Sequence, residues 1–108
     1  MQNDIEKGKT TAIVSYFTII GSIVAIFMNQ EENRSEFASF HIRQALGIFL
    51  TWALFGYFVG NFDSWIISTA LYVMIFLLWI YGFLGALTGE RRIVPIVGEL
   101  YQKAFKNL

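Results

Sequence analysis

The stretch that decides the fold runs from Ser35 to Leu50 and reads SEFASFHIRQALGIFL. It begins polar and charged, contains the single histidine of the chain, His41, and continues into an uninterrupted apolar segment. A polar start followed by a long apolar run is typical of a helix that enters a membrane. The polar residues at this boundary could form a ligand site, a proton relay or simply the entry of the helix.

The composition indicates a membrane protein. Apolar residues make up 56% of the 108 residues and charged residues 15%, against about 45–50% and about 25% in soluble domains. A soluble domain of this size has too little interior to bury so much apolar surface. The net charge is zero and there is no cysteine, so nothing favours a nucleic-acid partner, and disulfides and thiolate chemistry are excluded.

Three charge-free windows predict three transmembrane helices. Charged residues are absent from 10–30, 44–62 and 64–89, and each window is long enough to span a bilayer as a helix. We therefore expect an all-α integral membrane fold. It consists of a polar tail over residues 1–10 and a single membrane domain over 11–108, with spans at about 11–28, 36–60 and 64–88.

A fourth helix is predicted at about residues 95–107. Gly89 suits the end of the third span, and Pro95 suits the first turn of a new helix. After Pro95 the apolar and polar residues separate onto two faces at helical spacing. The segment is too short to span, so we expect an amphipathic helix in the membrane interface. Docking on the protein's own loops is the alternative.

Small residues predict the faces on which the spans pack. Ser15, Thr18, Ser22 and Ala25 share one face of the first span. Two glycine pairs at a spacing of four close the second and third spans: Gly56 with Gly60, and Gly85 with Gly89. Small residues allow helices to approach closely in lipid, and packing within the chain is favoured over a dimer motif.

The basic residues predict the orientation. Three spans place Lys7 and Lys9 on one side, and six Lys and Arg residues on the other: Arg34, Arg43, Arg91, Arg92, Lys103 and Lys106. By the positive-inside rule the C-terminus is cytoplasmic, in a bacterial cytoplasmic membrane. The last four of these residues are candidates for binding lipid headgroups.

The polar cluster at the start of the second span resembles a helix entry more than a reactive site. A helical projection places His41 and Gln44 on an aromatic-rich face with Phe37 and Phe40, and places Arg43 elsewhere. There is no second histidine, no ligand spacing among carboxylates, and no catalytic constellation. We therefore predict no cofactor, no metal and no enzyme, and leave contact with a partner as an open possibility.

Two motifs carry a resemblance to a known family. The first is F-x-x-F-H-x-R-Q-A-L, from Phe37 to Leu46, and the second is G-E-x-x-x-x-P-x-x-G, with Gly89, Glu90, Pro95 and Gly98. They resemble small bacterial membrane proteins related to the twenty-kilodalton Tic protein, the chloroplast inner-envelope import component. The resemblance implies a small integral membrane protein of protein-translocation ancestry.

Three functions are compatible with these observations. The first is a non-enzymatic accessory or structural subunit of a larger membrane complex, linked through the resemblance to protein translocation or insertion. The second is a homo-oligomeric pore or carrier. It would need a polar stripe along a span, which Ser15, Thr18 and Ser22 offer in part. The third is a protein that binds anionic lipid through its basic C-terminal helix.

Overall fold

A computed structural model gives the structure of the chain and describes residues 2–30, 34–59, 65–95, 97–106 and 108. These residues form five α-helices and no strand: α1 (Gln2–Ser15), α2 (Ile19–Met28), α3 (Glu36–Val59), α4 (Trp65–Thr88) and α5 (Gly98–Ala104). The predicted all-helical class is confirmed. Within the described residues only α4 is long and apolar enough to qualify as a span, and α2 is a shorter apolar helix. The three predicted spans are therefore not confirmed.

The predicted first span, 11–28, is not one continuous helix in the structure, because the chain turns between Ser15 and Ile19. The last turn of α1 tightens, with the N–H of Tyr16 and the N–H of Phe17 each bonding a carbonyl three residues earlier, at 3.1 and 3.2 Å. Thr18 is extended, and its hydroxyl accepts the N–H of Gly21 at 3.1 Å, which caps α2. Residues 2–10, expected to be a tail, belong to α1.

The helices α1 and α2 form an antiparallel pair, called here the N-terminal hairpin. At its turn the Ser22 hydroxyl donates to the Ser15 carbonyl at 2.7 Å. At its open end, Ser35 just ahead of α3 donates its hydroxyl to the Asp4 carbonyl at 2.8 Å and its N–H to the Asn29 side chain at 2.7 Å. Both ends of the hairpin therefore lie at the start of α3.

The hairpin covers only part of α3. Its turn lies near the middle of α3, where Phe17 and Thr18 line one groove together with Ile48. It therefore reaches along about half of α3 and returns, which is the geometry of a re-entrant segment. Beyond the turn, α3 packs on α4 and, around Thr51, on the C-terminal segment that holds Tyr101.

Asp4 fixes the start of α3. Its carboxylate accepts the N–H groups of Glu36 and Phe37, both at 2.9 Å, and pairs with Arg91 at 3.1 Å. Partial burial by itself raises the pKa of this carboxyl, but the two N–H donors, the Ser35 hydroxyl and the Arg91 guanidinium together outweigh it and hold the pKa below its usual value. A carboxylate is favourable here because the first N–H groups of a helix have no partner within the helix. The contact also brings the start of α1 next to the segment that follows α4.

The chain reverses direction after α4. Gly89 takes a positive φ of 76°, which glycine adopts at no steric cost, and the N–H of Glu90 bonds the Gly85 carbonyl at 2.8 Å. A Cβ added at Gly85 would lie 3.1 Å from the Cβ of Arg92, so the returning segment 89–94 lies directly on the end of α4.

The predicted helix over 95–107 is shorter in the structure and docks on α3. It begins at Gly98, so Pro95 lies ahead of it and not in its first turn. Tyr101 is buried, and its ring lies directly against Gly47, where an added Cβ would collide with it. The Tyr101 and Thr51 hydroxyls bond at 2.5 Å. This C-terminal helix therefore packs on α3, whereas the sequence predicted a position in the membrane interface or on the protein's own loops.

We expect both ends of the chain to lie on one side of the membrane. Because the sequence has no cysteine, Lys7→Cys, Lys106→Cys and Asp63→Cys each introduce a single thiol. A membrane-impermeant maleimide applied to sealed vesicles of one orientation should label positions 7 and 106 together and position 63 only after the vesicles are opened, or the reverse. Labelling of positions 7 and 106 from opposite sides would restore the three-span arrangement.

Candidate functional site

The buried polar centre of the molecule joins the turn of the N-terminal hairpin to α3. Tyr16, His41 and Gln44 are each 0% exposed. The Tyr16 Oη lies 2.7 Å from His41 Nδ1, and Gln44 Nε2 donates to the same oxygen at 2.9 Å. We call this set the Tyr16–His41–Gln44 network.

The partners of His41 define its tautomer. Its Nε2 lies 2.8 Å from the Glu90 carbonyl oxygen, which can only accept. Nε2 therefore carries the proton, and Nδ1 accepts a hydrogen bond from the Tyr16 hydroxyl. Both ring nitrogens are satisfied in the neutral form.

Gln44 connects the network to the returning segment. Its amide donates to the Arg92 carbonyl at 2.8 Å, and its carbonyl accepts the N–H of Val94 at 2.8 Å. On the opposite side, the Trp79 indole donates to the Tyr16 carbonyl at 2.7 Å. These side chains thus bond backbone groups that are freed where the chain is not helical.

Aromatic rings enclose the imidazole. Phe37 and Phe40 present their edges to His41, with ring centroids 4.7 and 5.0 Å away. Phe37 is fully buried and Phe40 is half-buried. The proton path from Tyr16 through His41 ends on a backbone carbonyl, so the arrangement suits a structural clamp and has no outlet for proton transfer.

Sequence reasoning found His41 and Gln44 and missed Tyr16 and Gly82. A Cβ added at Gly82 would lie 2.8 Å from both Gln44 Nε2 and Tyr16 Oη, so α4 comes close to the network only through a glycine. One signal could have indicated Tyr16. A buried histidine and glutamine require polar partners, and Tyr16 lies two residues before Thr18, which can act as a helix cap.

Arg43 lies apart from His41, as the helical projection predicted. Its guanidinium points at α5, where Nη1 reaches Gln102 Oε1 at 3.4 Å and Nη2 reaches the Lys106 carbonyl at 3.0 Å. The Gln102 amide donates in turn to the Phe40 carbonyl at 2.9 Å. The arginine of the motif therefore holds the C-terminal helix, and the histidine and glutamine hold the hairpin.

The predicted packing residues separate into tight and loose contacts. Ser15 is buried and donates its hydroxyl to the Ala12 carbonyl at 2.5 Å. Gly98 is tight, because an added Cβ would lie 2.6 Å from Ile93. Gly56 is loose, since its nearest neighbour would be Tyr72 Oη at 3.6 Å. Gly60 lies outside the described residues.

The four predicted headgroup residues differ in their partners. Arg91 pairs with Asp4, and Arg92 pairs with Glu90 at 2.5 Å. Lys103 and Lys106 are exposed on and just after α5. Two of the four charges are thus held within the protein by carboxylates.

An apolar groove of about 760 Å³ lies between α2, α3 and α4. The lining side chains that carry a polar atom are Thr18, Trp52, Tyr72 and Trp79. Thr18 caps α2, and Trp79 bonds Tyr16. The lining suits hydrocarbon and offers no catalytic pair.

The fold and the site define a small all-helical membrane protein whose chain turns back partway along a helical pair. A profile of the magnetosome magnetite crystal formation protein family, the MamF/MmsF family, matches residues 7–100. The chain belongs to this family.

A UPF0132 membrane protein of Methanocaldococcus jannaschii is 27% identical over 90 residues, which are 82% of this chain and 62% of that protein. This chain thus spans less than two thirds of that relative. No solved structure shows significant similarity. Both similarities place the chain in a membrane.

The resemblance to the chloroplast import component is wrong. The matching profile belongs to a different family, and neither that family nor the archaeal relative is described as acting in protein translocation. The two motifs are packing elements here, since His41 and Gln44 both bond to backbone of the segment that carries the second motif.

We expect Tyr16→Phe to destabilise the protein by about 1–3 kcal/mol. The change leaves His41 Nδ1 without its donor and one Gln44 N–H without an acceptor, and buried polar groups without partners cost about this much. Denaturation in mixed micelles measures it. Tyr81→Phe is the matched control, because that tyrosine is 41% exposed. Equal effects of the two substitutions would contradict a special role for Tyr16.

We expect Gly82→Ala to destabilise the protein and Gly56→Ala to have little effect. The added methyl group would collide with Gln44 and Tyr16 at position 82, but would lie at ordinary contact distance at position 56. The melting temperatures of the two purified variants in one detergent compare them directly. A larger fall in melting temperature for Gly56→Ala than for Gly82→Ala would contradict the assignment of the tight helix contact to Gly82.

Proposed function

We propose that this protein is a non-enzymatic structural or accessory protein of the membrane, acting through contacts with a larger membrane complex. The observation that carries the proposal is the closure of the Tyr16–His41–Gln44 network. Its three side chains are fully buried, and their hydrogen-bonding groups are used by one another and by the backbone. Groups used in this way hold the fold together and offer no free acid, base or nucleophile to a substrate.

The geometry weakens the alternative of a pore or carrier formed by homo-oligomers. The polar side chains that favoured a pore make their hydrogen bonds within the N-terminal hairpin. Ser15 and Ser22 bond backbone carbonyls and are fully buried. Thr18 caps α2. None of the three supplies a water-lined path.

The family name provides a setting for this role. Its description concerns magnetite crystal formation in magnetosomes, whereas the archaeal relative is described only as a membrane protein. The feature common to both is residence in a membrane. We therefore base the proposal on a membrane role, and regard mineral formation as one setting in which such a subunit would act.

The fold supports a definite orientation in the cytoplasmic membrane. With a re-entrant hairpin, both termini lie with the start of α3, and all eight Lys and Arg residues of the chain lie at that end. The loop joining α3 to α4 has none. The positive-inside rule then places both termini in the cytoplasm, which retains the cytoplasmic C-terminus expected from sequence and moves the N-terminus to the same side.

A pull-down from gently solubilised membranes tests the accessory role. A tagged copy is expected to bring a larger membrane protein at constant stoichiometry. Because Tyr16→Phe weakens the fold, the yield of partner per tagged molecule should fall with that variant and remain normal with Tyr81→Phe. A clean homo-oligomer that conducts ions in planar bilayers would overturn the proposal and favour the pore.

A further inference from the structure

Arg43 carries a charge that no described carboxylate neutralises. The ion pairs among the described residues involve Arg34, Arg91 and Arg92. The guanidinium of Arg43 bonds only neutral oxygens, those of Gln102 and the Lys106 backbone, and its Nε is buried without a hydrogen-bond partner. A buried donor left unpaired is unfavourable. Each Nη nitrogen also has a second N–H beyond the bonds described, so the group can still donate to an acceptor with negative charge.

An apolar cleft of about 280 Å³ lies between α3 and α5. Its lining is Gly47, Leu50, Thr51, Leu54, Leu100, Tyr101, Ala104 and Phe105. The two hydroxyls in the lining bond each other, so the remaining wall is apolar. Leu50, Leu54 and Leu100 are between 42% and 62% exposed, which leaves the cleft open to its surroundings.

The charge and the cleft are adjacent on the same helices. Gly47 lies four residues after Arg43 on α3, so the two share one helical face. On the other side, Lys106 follows Phe105 of the cleft and contributes the carbonyl that Arg43 binds. The guanidinium of Arg43 thus lies at one end of the apolar cleft, at the end of the molecule that holds all the basic residues of the chain.

We propose that this site binds an anionic phospholipid, with its phosphate on Arg43 and one acyl chain in the cleft between α3 and α5. An arginine fork matches phosphate oxygens through paired hydrogen bonds. A lipid satisfies both parts of the site at once, whereas a free anion would leave the apolar cleft unused. Lys106 and Lys103, both exposed nearby, add to the attraction for negative charge.

This site keeps Lys103 and Lys106 of the headgroup set expected from sequence and takes Arg43 as its central residue. Arg91 and Arg92 already have carboxylate partners, so they offer less to a lipid than Arg43 does. The inference is independent of the accessory role, because a lipid could occupy this cleft whether or not a larger partner binds elsewhere.

Native mass spectrometry of the purified full chain with added phosphatidylglycerol or phosphatidylcholine tests the site. We expect tighter binding of phosphatidylglycerol, and we expect Arg43→Gln to lower its affinity about tenfold, as for the loss of charge-assisted hydrogen bonds. Arg34→Gln removes the same charge at the same end of the molecule. It should change the affinity less than about twofold, because its surroundings are exposed.

Two further arms separate a lipid site from its alternatives. Ala104→Phe fills the cleft at an exposed position and should weaken phosphatidylglycerol binding while Arg43 is intact; it also decides the matter if Arg43→Gln does not fold. Equal losses for Arg43→Gln and Arg34→Gln would overturn the site in favour of general surface charge. Full competition by inorganic phosphate, or no effect of Ala104→Phe, would overturn the acyl-chain cleft.

Discussion

The structure depends on the requirement that buried polar groups be hydrogen-bonded in an apolar surrounding. The chain leaves helical geometry at residues 16–18 and 89–94, and each break frees backbone groups that lipid cannot satisfy. His41, Gln44 and Trp79 bond the carbonyls and the N–H at these breaks. The Tyr16 hydroxyl bonds both His41 and Gln44, so one network stabilises both irregular segments.

This dependence explains why the sequence motif marks a packing element and not a role in protein translocation. The histidine, arginine and glutamine of F-x-x-F-H-x-R-Q-A-L each bind a different part of the chain that follows α4. A motif with that role is retained for packing, and packing can be shared by proteins of unrelated function. The resemblance to an import component therefore has no bearing on translocation, and membership of the MamF/MmsF family replaces it.

The molecule has two different ends. One end holds the open end of the N-terminal hairpin, the returning segment, α5 and all the basic residues. Among the described residues, the other end holds the tips of α3 and α4, where large aromatic residues such as Tyr57 and Trp65 are about three quarters exposed, at 75% and 76%. Aromatic residues are enriched where helices meet the membrane surface. The asymmetry gives a membrane-inserted chain a definite inside and outside.

The sequence by itself determined the helical class, the membrane character, the separation of Arg43 from His41, and the inward face of α3, because these follow from composition and from helical periodicity along one element. It did not determine that residues 11–28 turn back on themselves. The sequence is free of charge on both sides of Thr18, from Thr10 to Gln30, and only packing distinguishes a cap from a continuing helix. Nor could it pair Tyr16 with His41, 25 residues away. It also could not show that α4 approaches this pair closely at Gly82. Those contacts join separate helices, and only the tertiary structure decides which buried polar groups meet.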